Sequence, residues 1–100
     1  MKIINEKEQI ILKPETDIVA SIEKDFRAAL DHSVKNFSNN MIMDFSGVQT
    51  IDSVGIGLII AFYNSLAIHK RNLKIINMAE NIYDLFKIMR LDKVIAIEKK

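Results

Sequence analysis

The sequence predicts an α/β fold: one domain, residues 1–100, built on a mixed central sheet of about four to five strands. Three observations carry this. The chain opens with two short β-rich runs, which implies an antiparallel start. Strand-like runs then alternate with helix-spaced segments, in the order β-β-α-β-α-β-α-β, which is the pattern of parallel strands joined by right-handed crossovers. The 100 residues, 49% hydrophobic and 27% charged, suit a single modest core, since domains run from about 50 to 250 residues.

The opening runs are Lys2 to Asn5 and Gln9 to Lys13, separated by Glu6-Lys7-Glu8. They read as a hairpin, or as one strand with a polar turn. Pro14 ends the second run because it has no amide to donate to a ladder. Asp17 then reads as the N-cap of a helix whose apolar residues recur as Ile18, Ile22, Phe26, Ala29, Leu30 and Val34. Asn36 to Asn40 is turn chemistry and closes it. Met41 to Phe45 reads as a central strand, because it is mostly apolar. Ser46-Gly47 makes a turn, Val48 and Ile51 return to the apolar layer, and Ser53 starts the second helix as its cap. Asn72 to Asn77 is the next strand. Glu80 to Arg90 is a third helix with Ile82, Leu85, Phe86 and Met89 on one face, and Val94 to Ile97 a last strand.

The second helix carries too much apolar surface. At about 100° per residue, Ile56, Ile59, Ile60, Tyr63, Leu66 and Ala67 share one side, enough to pack on a sheet. The opposite side, where solvent is expected, carries Val54, Leu58, Ala61, Phe62 and Ile68. Such a face implies either a binding partner or a neighbouring helix that covers it. Gly55 and Gly57 lie in the first turns, where each costs roughly 0.5–1 kcal/mol relative to Ala. Their use is either close approach of another chain or a phosphate, or close packing of helix on sheet.

Most chemistries are excluded. The net charge of +1, with scattered Lys and Arg, gives no case for direct nucleic-acid binding. The absence of cysteine removes disulfides and thiolate chemistry and fits a reducing cytoplasm. The first ten residues are too polar for a signal peptide, and no apolar run approaches the ~20 residues of a membrane span. The two histidines, His32 and His69, lie near helix ends among polar neighbours and read as surface residues. Ile51 stands where a Gly-x-Ser-x-Gly nucleophile elbow needs its first glycine. No phosphate-binding loop, metal-ligand spacing or cofactor motif occurs. Asp17, Asp44 and Asp52 could converge near strand ends, which leaves an enzyme reading only as a minor alternative.

The run Val48-Gln49-Thr50-Ile51-Asp52-Ser53-Val54-Gly55-Ile56-Gly57-Leu58 resembles the signature of STAS domains, the fold of bacterial anti-sigma factor antagonists. It follows Met43-Asp44-Phe45-Ser46, which is similar to the family's strand end. Asn81 to Ile88 resembles the family's last major helix, and Leu91-Asp92-Lys93-Val94 the entry to its final strand. The resemblance implies a STAS-like fold across the chain. It also implies a non-enzymatic, cytoplasmic regulator of transcription, without cofactor or metal and monomeric or weakly dimeric. Its partners would be an anti-sigma factor with serine kinase activity and a PP2C-type phosphatase. Ser53, after Asp52, would be the phosphorylation site. Asp17, Asp52, Ser53, Val54, Gly55, Leu58 and Phe62 would contribute to partner binding. The chain departs from the family pattern at Pro14 and Thr16, in the loop holding Asp17, and at Val54, where many members have a second Ser. Two alternatives stand beside this: a scaffold or transporter-associated subunit that binds without a phospho-switch, and a small-ligand sensor.

Overall fold

Residues 1–100 are described by a computed structural model. The strands are β1 (Lys2–Asn5), β2 (Gln9–Lys13), β3 (Asn40–Asp44), β4 (Leu73–Met78) and β5 (Ala96–Lys99). The helices are α1 (Glu23–Asn36), α2 (Ser53–Ile68) and α3 (Glu80–Ile88), with 3₁₀ turns at Ala20–Ile22 and Leu91–Lys93. The predicted order β-β-α-β-α-β-α-β is the observed one.

The five strands lie in the order β1-β2-β3-β4-β5. β1 and β2 pair antiparallel through a turn closed by Glu6 N–H donating to the Gln9 carbonyl (3.0 Å). The remaining neighbours pair parallel, with Leu12 opposite Met43, Met43 opposite Ile75, and Ile75 opposite Ile97. Because a strand's side chains alternate between faces, Ile10, Leu12, Met41, Met43, Leu73 and Ile75 all point into the core. Phe26 and Leu30 of α1, Ile59, Phe62 and Leu66 of α2, and Ile82 and Phe86 of α3 join the same cluster. The helices therefore cover one face of the sheet. On the other face Ile11, Ile42 and Ile76 stay half-buried.

The ends of several elements shift from the sequence expectation. The first helix does not begin at an Asp17 cap: the chain stays extended to Val19, makes a 3₁₀ turn, and becomes α-helical at Glu23. At the other end of the chain, Arg90 adopts a left-handed conformation (φ 61°) and stops α3. Leu91 then accepts from the amides of Val94 and Ile95. This local turn delays β5 to Ala96–Lys99, past the expected Val94 to Ile97.

The end of α2 is a Schellman cap. Arg71 N–H donates to the Leu66 carbonyl (3.0 Å) and Lys70 N–H to Ala67 (2.9 Å), with Lys70 left-handed at φ 57°. That turn aims Arg71 back across the helix layer. Its Nε donates to the Asn39 carbonyl (2.9 Å) and its Nη1 to the Val34 carbonyl (3.2 Å). One buried side chain thus ties the ends of α1 and α2 to the entry of β3, and burial pulls its pKa below the ordinary arginine value. The sequence alone carried no sign of this brace.

Candidate functional site

The site forms where β3 hands over to α2. Asp44, at the end of β3, is buried and accepts from Ser46 N–H (2.9 Å), Ser46 Oγ (2.8 Å) and Asn77 Nδ2 (3.0 Å), with Lys13 Nζ at 3.6 Å. Burial alone would raise its pKa, but the bonds from Asn77 and Ser46 and the Lys13 charge outweigh it and hold the carboxyl below its usual value. The loop leaving β3 is pinned by this carboxylate, and Gly47 completes the turn at φ 83°, a conformation that suits glycine.

The cap of α2 is Asp52, a correction to the expectation for Ser53. Asp52 has extended backbone (φ −104°, ψ −176°), and its Oδ1 accepts from Gly55 N–H at 2.9 Å. A cap must stand half outside the helix so that its side chain can reach back to the amide at the third helical position. Ser53 is already helical. It is exposed and its hydroxyl makes no hydrogen bond to another residue. The second Asp52 oxygen, Oδ2, accepts from Ala20 N–H at 2.9 Å. The bonds from Gly55 and Ala20 hold its carboxyl below the usual range.

Asp17 plays the mirror role. Its Oδ1 accepts from the amides of Gln49 (2.9 Å) and Thr50 (3.0 Å) rather than capping α1. Between the two carboxylates, Ile18 N–H donates to Thr50, and Asp52 N–H to Ile18, so Ile18 and Ile51 bridge as parallel strand residues. The loops before α1 and α2 are clasped together by backbone and carboxylate bonds.

The clasp explains Gly55. A Cβ there would lie 2.1 Å from the Ile18 carbonyl oxygen and 2.8 Å from Ile51 Cγ1. Gly57 is the opposite case, since a Cβ there would meet nothing within 4 Å. Gly57 and Ser53 are exposed on α2. Together with Asp52 they edge an apolar groove of about 450 Å³. Ile51, Ile56, Ile60, Leu85 and Met89 supply its walls. The sequence groups Ile82, Leu85, Phe86 and Met89 on one face of α3. Ile82 and Phe86 do fill the core, where Phe86 meets Phe45 edge-to-face with centroids 6.4 Å apart. Leu85 and Met89 lie one residue step beside that pair (i, i+4) and open onto the groove. That offset was the signal available in the sequence.

Leu58 and Phe62 do not stand on an open face. They are 4% and 3% exposed, facing α1 across a narrow cleft that Leu30 and Val34 also line. The neighbouring helix covers Leu58 and Phe62 on the second apolar side of α2, while Ala61 and Ile68 stay exposed. Val54 is half-buried and Gly55 buried. Of the sequence-predicted residues, Asp17, Asp52, Ser53, Val54 and Gly55 are brought together, while Leu58 and Phe62 belong to the helix–helix contact.

No group of three His, Cys, Asp or Glu side chains is placed to hold a metal ion, and Asp17, Asp44 and Asp52 are each committed to loop amides. No helix is long and apolar enough to cross a membrane.

No curated protein matches the chain in sequence. Solved structures share its fold. A Thermotoga maritima protein assigned as an anti-sigma factor antagonist superposes with TM-score 0.89 at 18% identity, over 99% of this chain and 86% of that one. A STAS domain protein from Planctomyces limnophilus gives 0.86 at 8% identity, over 99% and 89%. The phosphorylated form of the Bacillus cell fate determinant SpoIIAA gives 0.75 at 14% identity, over 96% and 88%. The STAS domain family model matches residues 2–100, and the chain belongs to the STAS domain family.

Proposed function

We propose that the protein is an anti-sigma factor antagonist controlled by phosphorylation of Ser53. In this reading the unphosphorylated form binds an anti-sigma factor that is also a serine kinase, and so releases a sigma factor in the cytoplasm. A PP2C-type phosphatase restores the binding form. The single observation that carries the reading is the setting of Ser53. Its hydroxyl is exposed and unbonded, at the first position of α2 and on the rim of an apolar groove.

The physics of a switch follows from that setting. A phosphoryl group adds about −1.5 to −2 charges at pH 7. The first amides of a helix lack carbonyl partners and sit at the positive end of its dipole, so the domain itself tolerates the anion. A partner seated in the groove meets a charge that has to be desolvated beside the carboxylate of Asp52. Binding is lost without refolding. The partner contacts of the proposal are Asp17 and Asp52 through the loops they hold, Ser53, Val54, the backbone opened by Gly57, and the groove wall at Ile60 and Met89.

Incubation with ATP and a cognate anti-sigma factor kinase should label the wild type and leave Ser53→Ala unlabelled. Ser53→Asp and Ile60→Glu should each weaken complex formation at unchanged folding. Labelling that survives Ser53→Ala would remove the site assignment. A complex that ignores both Ser53→Asp and phosphorylation would favour a constitutive scaffold.

A further inference from the structure

The two edges of the sheet are finished differently. β5 carries Glu98 and Lys99, Glu98 pairs with Lys74 (2.7 Å), and its register with β4 shifts between Ile75 and Met78. Charges and irregular register are the usual means of keeping a free edge from joining another sheet. β1 has no register shift and no proline, and its sequence Lys-Ile-Ile-Asn holds a single charge. It pairs with β2 alone, so its other side is open.

The ladder fixes which groups face that open side. In an antiparallel pair, hydrogen-bonded residues alternate with residues whose peptide groups turn away. Glu6 N–H donates to the Gln9 carbonyl, so Ile4 and Lys2 continue the bonded series opposite Ile11 and Lys13. Ile3 and Asn5 therefore turn their peptide groups outward. Both residues are exposed, and neither takes part in a backbone bond outside the strands. Side chains alternate as well. Lys2, Ile4 and Glu6 stand on the sheet face that no helix covers, where Ile4, Ile11 and Ile42 lie side by side and half-buried.

We propose that β1 pairs antiparallel with β1 of a second copy of this chain, about a twofold axis at Ile4. The axis keeps the helices of both copies on one side, so residues of the same face meet across it. Ile3 of each copy then exchanges backbone bonds with Asn5 of the other. Ile4 meets its own equivalent and carries the apolar row from one sheet into the next. Lys2 stands opposite Glu6 of the second copy, and Glu6 opposite its Lys2. Centring the axis on Ile3 instead would set Lys2 against Ile4 and leave the charges unmatched. Opposite charges directly across a ladder are favourable, so charge selects the register. It also selects the occupant, because this one segment supplies acid, base and apolar residue in the order that a twofold axis requires. None of these residues lines the groove beside Ser53. The pairing is independent of the switch proposed there.

Sedimentation equilibrium over a range of protein concentrations is the test. The wild type is expected to show a reversible monomer–dimer equilibrium. Ile3→Pro removes an outward amide, which an edge strand tolerates, and should abolish the dimer. Lys2→Glu and Glu6→Lys, both at exposed positions, should each weaken it roughly tenfold. The double variant Lys2→Glu/Glu6→Lys should restore it. Circular dichroism melts check that each variant is folded, and the charge exchange decides the matter even where Ile3→Pro is not. A protein monomeric at every concentration would overturn the proposal. So would a dimer that persists in folded Ile3→Pro, or a double variant as weak as its parents.

Discussion

The two ends of α2 are braced with opposite chemistry. At the N-terminal end, Asp52 and Asp17 gather backbone amides: Gly55 and Ala20 on one, Gln49 and Thr50 on the other. At the C-terminal end, Arg71 gathers backbone carbonyls, from Asn39 and Val34. Gly55 N–H is one of the donors that α2 leaves unpaired at its start, and the Val34 carbonyl one of the acceptors that α1 leaves at its finish. The difference lies in what is left over. The acidic clasp consumes its carboxylates and leaves Ser53 free beside an apolar groove. The basic brace leaves one guanidinium nitrogen without an acceptor. The first end leaves an exposed hydroxyl beside an apolar wall, and the second leaves one buried donor unpaired.

Four substitutions test that contrast. Gly55→Ala should have the largest effect, because its Cβ would overlap the Ile18 carbonyl and force the clasp open. A loss of about 3 kcal/mol in urea unfolding is expected, the upper part of the usual overpacking cost, together with loss of kinase recognition at Ser53. Arg71→Met comes next. It removes two charged donors from buried carbonyls and should cost about 2 kcal/mol, with exchange protection lost around Asn39 and Val34. Gly57→Ala should act in the other direction. With no atom in the way of the new Cβ, it should stabilise the fold by roughly 0.5–1 kcal/mol while weakening partner binding at the groove edge. A null effect on binding would show that the partner does not use that edge.

A smaller loss than for Gly55→Ala or Arg71→Met is expected for Asp52→Asn, since Asn still caps Gly55 through its oxygen while its amide nitrogen cannot accept from Ala20 N–H. Its signature is in the pH dependence. The folded carboxyl titrates below its ordinary value of 3.8, so its contribution is fully present above that value and is lost as pH falls through the lower, folded one. The stability difference between wild type and Asp52→Asn should be constant above about pH 5 and shrink below about pH 4. A difference that grows on acidification would contradict the clasp. Asp44, lowered in the same direction, contributes to the same acid limb and persists in the variant.

Much of this was legible before the fold was known. Short apolar runs such as Met41 to Phe45 and helix-spaced runs such as Ile82 to Met89 are local patterns, so they survive in the sequence and place every strand and helix in order. Most of the misplaced roles are set by something distant in the chain, and that of Ser53 by its neighbour. Asp17 and Ser53 have the right chemistry for caps, but Asp17 is taken by amides 32 and 33 residues away. Ser53 is displaced by the residue before it. Leu58 and Phe62 read as surplus apolar surface because α1, which covers them, is invisible in a one-helix projection.

By itself the sequence determined the alternation of elements, the small core, and an Asp-Ser step at the mouth of a helix flanked by two glycines. These depend on side-chain periodicity and backbone freedom, which are properties of neighbours along the chain. Only the tertiary structure decided which glycine is needed for packing and which stands open, which apolar face is covered, and where Arg71 goes. Those outcomes depend on which loops and helix ends meet in space. The carbonyl of Ile18 closes on Gly55 and leaves Gly57 free because the clasp of Asp17 and Asp52 brings it there.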